Sequence, residues 1–290
     1  MASWKRRLTQ IAAALTSNAY FKGFMEGDIY RGSLKNVCVP GLNCYSCPGA
    51  IGSCPIGSLQ AVAGSLSFGF SFYIVGFLTL VGIIMGRLVC GWLCPFGFIQ
   101  ELLHKIPLPK VSMGRVGGWL KYLKYAVLIV FVLILPALVV NEAGLGEPAF
   151  CKYICPAGTL EGGVPLLLLN ESLREAAGYL FAWKLSLALF VVVASMIIFR
   201  PFCRFLCPLG AVYALFNRVS IYRLEVDEDK CVQCGTCQKT CQLEVKVYEK
   251  PNDPECIRCG ECIKACPNRA ISSGFFAIKN EASNDMADQP

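Results

Sequence analysis

At 290 residues, 55% of them hydrophobic and only 16% charged, with a mean hydropathy of +0.52, the chain is not composed like a soluble enzyme, and much of it is expected to face lipid. Its 18 cysteines do not read as a disulfide framework, because such frameworks belong to small secreted chains short of a core, and apolar residues here are in excess. Metal ligation is the better reading. The single histidine, His104, excludes haem held by paired imidazoles within the chain and any His-rich zinc or copper site, and the formal charge of +7 speaks of orientation in a membrane rather than of nucleic acid.

In chain order, Lys5-Arg6-Arg7 leads into an apolar run, Leu8 to Phe24, interrupted by Thr9, Gln10, Thr16, Ser17 and Asn18. A spanning helix, an interfacial amphipathic helix and a signal peptide all fit it, and the charge distribution favours the first. Val62 to Met85, Leu120 to Val140 and Tyr179 to Phe199 are each long enough for an apolar bilayer core of about 30 Å, with Lys184 able to snorkel from the last. Arg87, Lys105, Lys110, Arg115, Lys121 and Lys124 then share one side with Arg200, Arg204, Arg218 and Arg223, and the positive-inside rule makes that side the cytoplasm. The expected protein is a multi-pass cytoplasmic (inner) membrane protein with three parts. Residues 1–223 form an α-helical membrane domain of about four transmembrane helices in a tandem two-helix repeat, residues 224–276 a C-terminal α+β two-cluster ferredoxin domain in the cytoplasm, and residues 277–290 a disordered tail.

Cys231, Cys234, Cys237 and Cys241 are spaced C-x2-C-x2-C-x3-C, and Cys256, Cys259, Cys262 and Cys266 repeat that spacing ahead of Pro267. Three thiolates on one turning loop hold three corners of a cubane, and in two-cluster ferredoxins the fourth cysteine of each run ligates the other cluster. This assigns Cys231, Cys234, Cys237 and Cys266 to one [4Fe–4S] cluster and Cys256, Cys259, Cys262 and Cys241 to a second. A pair of zinc sites is the weaker alternative, since eight cysteines in this duplicated order exceed what C-x2-C alone would mean. Gln242 departs from the ferredoxin pattern, standing where the first run would often carry proline.

Upstream, Cys90-Gly-Trp-Leu-Cys94-Pro95-Phe-Gly97 and Cys203-Arg-Phe-Leu-Cys207-Pro208-Leu-Gly210 share C-x3-C-P-x-G on the expected cytoplasmic side. Proline after the cysteine suits a first helical position, and a thiolate there meets the positive end of a helix. Cys90, Cys94, Cys203 and Cys207 are therefore expected to form a third cluster site, with redox-active or merely buried thiols as the alternative. Cys151-Lys-Tyr-Ile-Cys155-Pro156-Ala-Gly158 repeats the motif on the opposite side, and Cys54-Pro55-Ile-Gly57 keeps its second half. A fourth cluster would take Cys151 and Cys155 with two of Cys38, Cys44, Cys47 and Cys54, the expected set being Cys47, Cys54, Cys151 and Cys155. Disulfides are the competing reading there.

The two C-x3-C-P-x-G loops among apolar spans, followed by the duplicated ferredoxin run, resemble the NapH/MauN group of membrane ferredoxins, and the membrane part of NosR-type proteins and the CcoG-type polyferredoxins are similar. The resemblance covers most of the chain and implies transfer of electrons from menaquinol or ubiquinol to partner redox proteins, such as a ferredoxin-type subunit or a cytochrome. A possible quinol dehydrogenase subunit, an accessory reductase that matures or reactivates a metalloenzyme, and a relay or anchor in a larger complex all remain open. Quinol chemistry needs a titratable group near the interface, for which Glu101 and His104, at i and i+3, are candidates, though an ordinary interfacial pair looks the same. The glycines at 114, 117 and 118 follow no expected strand, so no nucleotide-binding loop is expected.

Overall fold

The computed structural model describes residues 2–65, 71–141 and 145–275, so the expected tail at 277–290 lies outside the described residues. The first helix, α1 (Ala2–Ser17), packs on the segment that carries Cys90 and on the helix that follows Cys94. It stops short of Phe24: Asn18 turns its amide back onto Ala14 O, the Tyr20 N–H is taken by Gly49 O, and a separate short helix covers Phe21–Glu26. The expected span from Val62 to Met85 is likewise divided. Helix α2 (Pro55–Ala63) ends at Gly64, whose backbone lies against Gly146, and α3 (Phe72–Met85) begins beyond residues 66–70. Glycine permits that close backbone approach, and continuing the helix through it is what packing forbids.

Helix α4 (Pro95–Leu103) precedes α5 (Val116–Leu138), and α6 (Gly158–Leu169) precedes α7 (Tyr179–Ile197) and α8 (Pro208–Phe216). Among the described residues α5 and α7 are the two helices long and apolar enough to cross a membrane. In α5 the stretch Leu128–Ile134 is wound as a π-helix, and so is Gly158–Gly163 at the start of α6. Each lies just ahead of a proline, Pro136 or Pro165, which has no N–H to give the carbonyl four residues back, and the wider winding takes up the mismatch.

The architecture is governed by four Cys-Pro steps. Cys54, Cys94 and Cys207 are extended N-cap residues with proline in the first helical position of α2, α4 and α8, and Cys155-Pro156 leads into α6 in the same way. Helix α4 packs on α7 and α1, α8 on α3 and α5, α2 on α5 and α3, and α6 on α7. The C-terminal unit pairs β1 (Tyr222–Val226) antiparallel with β2 (Ile271–Phe275), Tyr222 opposite Phe275 and Val226 opposite Ile271. Between them α9 (Thr236–Thr240) and α10 (Glu261–Ala265) pack together, each entered through a left-handed glycine, Gly235 at φ +73° and Gly260 at φ +81°.

Candidate metal centres

In the C-terminal unit Cys231, Cys234, Cys237 and Cys266 line one cavity, while Cys241, Cys256, Cys259 and Cys262 line another. Each group draws three residues from one run and the fourth from the other. Burial, and then the neighbouring thiols, push Cys262 up to about 12, whereas Cys234 is exposed and its thiol is lowered by Thr236. Among the described residues no three His, Cys, Asp or Glu side chains close on a point as a single-ion site would require.

A proximal site adjoins this unit. Cys90, Cys94, Cys203 and Cys207 are all buried, and the Cys207 thiol feels the other three. Burial first, and mutual repulsion second, raise Cys94 and Cys207, so four thiolates here need a cationic centre between them. The chain supplies matching donors. Gln100, on α4, gives its amide N–H to Cys203 Sγ at 3.0 Å and accepts the Phe202 N–H at 3.2 Å, and the Gly210 N–H meets Cys207 Sγ at 3.4 Å. Two arginines cross between the motifs. Arg87 donates to Cys203 O and Arg200 to Cys90 O, each standing three residues ahead of the first cysteine of its own motif. Arg200 holds a left-handed backbone, φ +49°, to do so. The donor set and the buried, cation-lined cage fit an iron–sulfur cluster.

A second set gathers elsewhere. Cys155 feels Cys151, Cys44 and Cys54, and burial sets Cys44 and Cys54 at about 12 and Cys151 at about 11. The structure thus brings Cys44, rather than Cys47, to Cys54, Cys151 and Cys155. Cys47 Sγ turns to Asn18 Oδ1 at 3.5 Å, and Cys38 Sγ lies 3.5 Å from Ser58 Oγ. Gln60 repeats the role of Gln100, its amide donating to Cys151 Sγ at 3.1 Å while its oxygen accepts the Phe150 N–H at 2.9 Å.

Glu101 is buried in ion pairs with Arg6 and Arg200, both at 2.8 Å, which makes it an anchor rather than a free proton acceptor. His104 sets Nδ1 3.3 Å from Ser195 O and lines, with Glu101 and Phe199, the 390 Å³ cavity that also reaches Cys241 and Cys259. Burial, then Lys110, hold its imidazole below the ordinary range. Sequence reading took Arg87 and Arg200 only as topological charges and passed over Gln60 and Gln100. Their signals were present in the fixed offsets, arginine three residues before the first cysteine and glutamine six after the second.

The C-terminal unit is seated directly on the proximal site. Gly91 lies so close to it that a β-carbon there would stand 2.2 Å from Ile257 O. Trp92 Nε1 donates to Arg258 O at 3.0 Å, Asn217 Nδ2 to Cys256 O at 3.0 Å, and Glu255 takes Arg87 at 2.8 Å and Lys124 at 2.5 Å. Arg204 pairs with Glu244 at 2.8 Å.

Comparison with known proteins supplies the wider context. A 4Fe-4S binding domain family matches residues 67–114, 125–166 and 180–223, each stretch holding one complete C-x3-C-P unit, and a further 4Fe-4S binding domain family matches 251–272. An uncharacterized protein of Methanocaldococcus jannaschii is 32% identical over 61% of this chain and 68% of its own length. The methylamine utilization ferredoxin-type protein MauN of Paracoccus denitrificans is 27% identical over 81% of this chain and 74% of its own, and the regulatory protein NosR of Pseudomonas aeruginosa 25% identical over 53% of this chain and 20% of its own. The chain spans 56% to 68% of the length of three of the curated relatives it matches. No solved structure matches.

Proposed function

Because the chain belongs to the MauN/NosR-type family of iron–sulfur electron-transfer ferredoxin proteins, we propose that it is a membrane-embedded electron carrier linking membrane quinol to redox partner proteins through the proximal site and the C-terminal cluster pair. The observation that carries this reading is the seat of Ile257 on Gly91. It sets the loop between Cys256 and Cys259 against the helical turn Leu88–Trp92 that carries Cys90, with no side chain between the two backbones. When bound, clusters of this type each take up and give up one electron.

The residues divide the remaining work. Cys90, Cys94, Cys203 and Cys207 hold the proximal group, Gln100 and Gly210 donate to its sulfurs, and Arg87 and Arg200 set cations beside it. Asn217, Trp92 and Glu255 fix the distance to the C-terminal pair. Quinol would take only the end of that cavity lined by Arg6, Glu101, His104 and Phe199, its other lining being the cluster cysteines Cys241, Cys256, Cys259 and Cys262, with His104 as the neutral base and Glu101 held by its arginines. Membrane residence is supported by the exposed apolar faces of α5 and α7, where Leu138, Leu189 and Phe190 stand open. The same fold supports a helical membrane part below residue 224 with the ferredoxin unit on the Arg- and Lys-rich side, read as the cytoplasm.

The test is Cys94→Ser with Cys207→Ser in anaerobically purified protein. Iron per chain is expected to fall by about four, and bleaching by a menaquinol analogue to be lost, while dithionite still reduces the C-terminal pair. Wild-type iron and quinol-driven rate in that variant would refute the reading.

A further inference from the structure

The second cysteine set is built to the same plan as the first. Gln60 and Gln100 stand at the same offset from Cys54 and Cys94, and each ties the sulfur of the first cysteine in a facing motif and the N–H of the phenylalanine before it. A lone buried thiol needs neither bond. What the second set lacks is a cysteine four residues before Cys54, where Ala50 stands. Lys35 Nζ donates to the Ala50 carbonyl at 2.7 Å, as Arg200 does to the Cys90 carbonyl, so the cationic support survives although the thiol is gone.

Cys44 makes good the missing ligand. A β-carbon built on Gly158 would stand 3.7 Å from Cys44 Sγ, 4.0 Å from Cys155 Sγ and 3.9 Å from Lys184 Nζ, which puts two thiols and an ammonium around one point. The segment is held from two sides: Glu161 accepts the Cys44 N–H at 2.9 Å, and Tyr213 Oη donates to Pro40 O at 3.0 Å. Between those anchors the segment lies against the Cys94–Pro95 step, where a β-carbon built on Gly41 would stand 3.0 Å from Cys94 Cα and 3.1 Å from Pro95 Cδ. The segment Gly41 to Cys44 therefore runs from the proximal cysteine set to the second.

Resting on the electron-carrier reading, we propose that Cys44, Cys54, Cys151 and Cys155 hold a further [4Fe–4S] cluster, with the segment Gly41 to Cys44 running from it to the proximal site and with Cys38 and Cys47 outside it. The remaining thiols of the 38–54 loop then serve packing, through Ser58 and Asn18.

Anaerobic wild-type protein is expected to carry about sixteen iron and as much acid-labile sulfide per chain, as four cubanes require. Cys44→Ser and Cys54→Ser should each remove about four, and Cys38→Ser and Cys47→Ser none, with the EPR signals of the C-terminal pair retained in all of them as the control for folding. Wild-type iron in Cys44→Ser, or equal loss in Cys47→Ser, would overturn the assignment. So would about twelve iron in the wild type, a measurement that depends on no variant, or a disulfide at Cys44 found by differential alkylation of the anaerobic protein. Cys94→Ser with Cys207→Ser, run in parallel, separates the two levels: if it too keeps full iron, the carrier reading fails, and if it alone loses iron, only the further cluster does.

Discussion

Replacing Glu255 by glutamine tests whether the C-terminal unit is held by charge against the proximal site. The carboxylate lies in ion pairs with Arg87 and Lys124, whose side chains are 1% and 0% exposed, while its own is 9% exposed. Glutamine keeps the shape and removes the charge, so the two buried cations lose the anion that pairs them with each other. Breaking a buried pair in this way costs about 3–5 kcal/mol, and the cost falls on the docked arrangement because both cations regain water when the interface opens. At 1.4 kcal/mol per tenfold, the docking equilibrium shifts by roughly a hundred- to a few-thousand-fold. The other ties, hydrogen bonds from Trp92, Asn217 and Arg258 and the partly exposed Arg204–Glu244 pair, contribute about 1 kcal/mol each and do not make up that loss. Hydrogen exchange over residues 86–92 and 254–258 should accelerate, and quinol-driven reduction of the C-terminal clusters should slow, with iron content and dithionite reduction unchanged. Wild-type exchange and rate in Glu255→Gln would refute the argument that this triad carries the docking.

Three further outcomes are expected. Gly91→Ala sets a β-carbon 2.2 Å from a backbone carbonyl that cannot rotate away, an overpacking worth about 1–3 kcal/mol; the variant should keep its iron and lose the close seat of Ile257, read as slower transfer to the C-terminal pair in stopped flow. Gln100→Leu removes the donor to Cys203 Sγ, and since that donor stabilises negative charge gained on reduction, the proximal midpoint potential should fall in a redox titration with iron retained; an unchanged potential refutes the role. Docking should also fail in acid. Burial works to raise Glu255 and Glu244, but their cations outweigh it and hold both below the ordinary carboxylate range, so their contribution is complete above about pH 4.3 and is lost as pH falls through the lowered values; exchange at the interface should be flat from neutrality to mild acid and rise only below it.

The parts of this molecule legible in its sequence are those fixed by short-range covalent spacing. The eight C-terminal cysteines line two cavities in the grouping their runs suggest, because three cysteines on one loop leave only the fourth to come from afar, and the Cys-Pro steps cap helices because proline admits little else at a first helical turn. Hydropathy found α7 almost to the residue, yet it ran Val62 to Met85 together across a break imposed by the approach of Gly64 to Gly146, a contact between segments about eighty residues apart. Cys44 was indistinguishable from Cys38 and Cys47 for the same reason, since its place is set by Glu161 and Tyr213 from the second half of the chain.

One column of residues shows how near the sequence came. The sixth position after the second cysteine holds Gln60, Gln100, Glu161 and Tyr213, four polar groups on otherwise apolar helices. An isolated buried polar side chain is costly unless it is bonded, so their recurrence at one offset already demanded partners. The first two reach cysteine sulfurs, and the other two grip the ends of the segment Pro40 to Cys44. Two repeats thus tune thiols while two hold the strap that runs between the cysteine sets. On the cluster assignment proposed above, that division goes with Ala50 standing where the other motifs carry their first cysteine: the fourth ligand would come from Cys44, and the residues that hold its segment occupy the position the other motifs use for tuning.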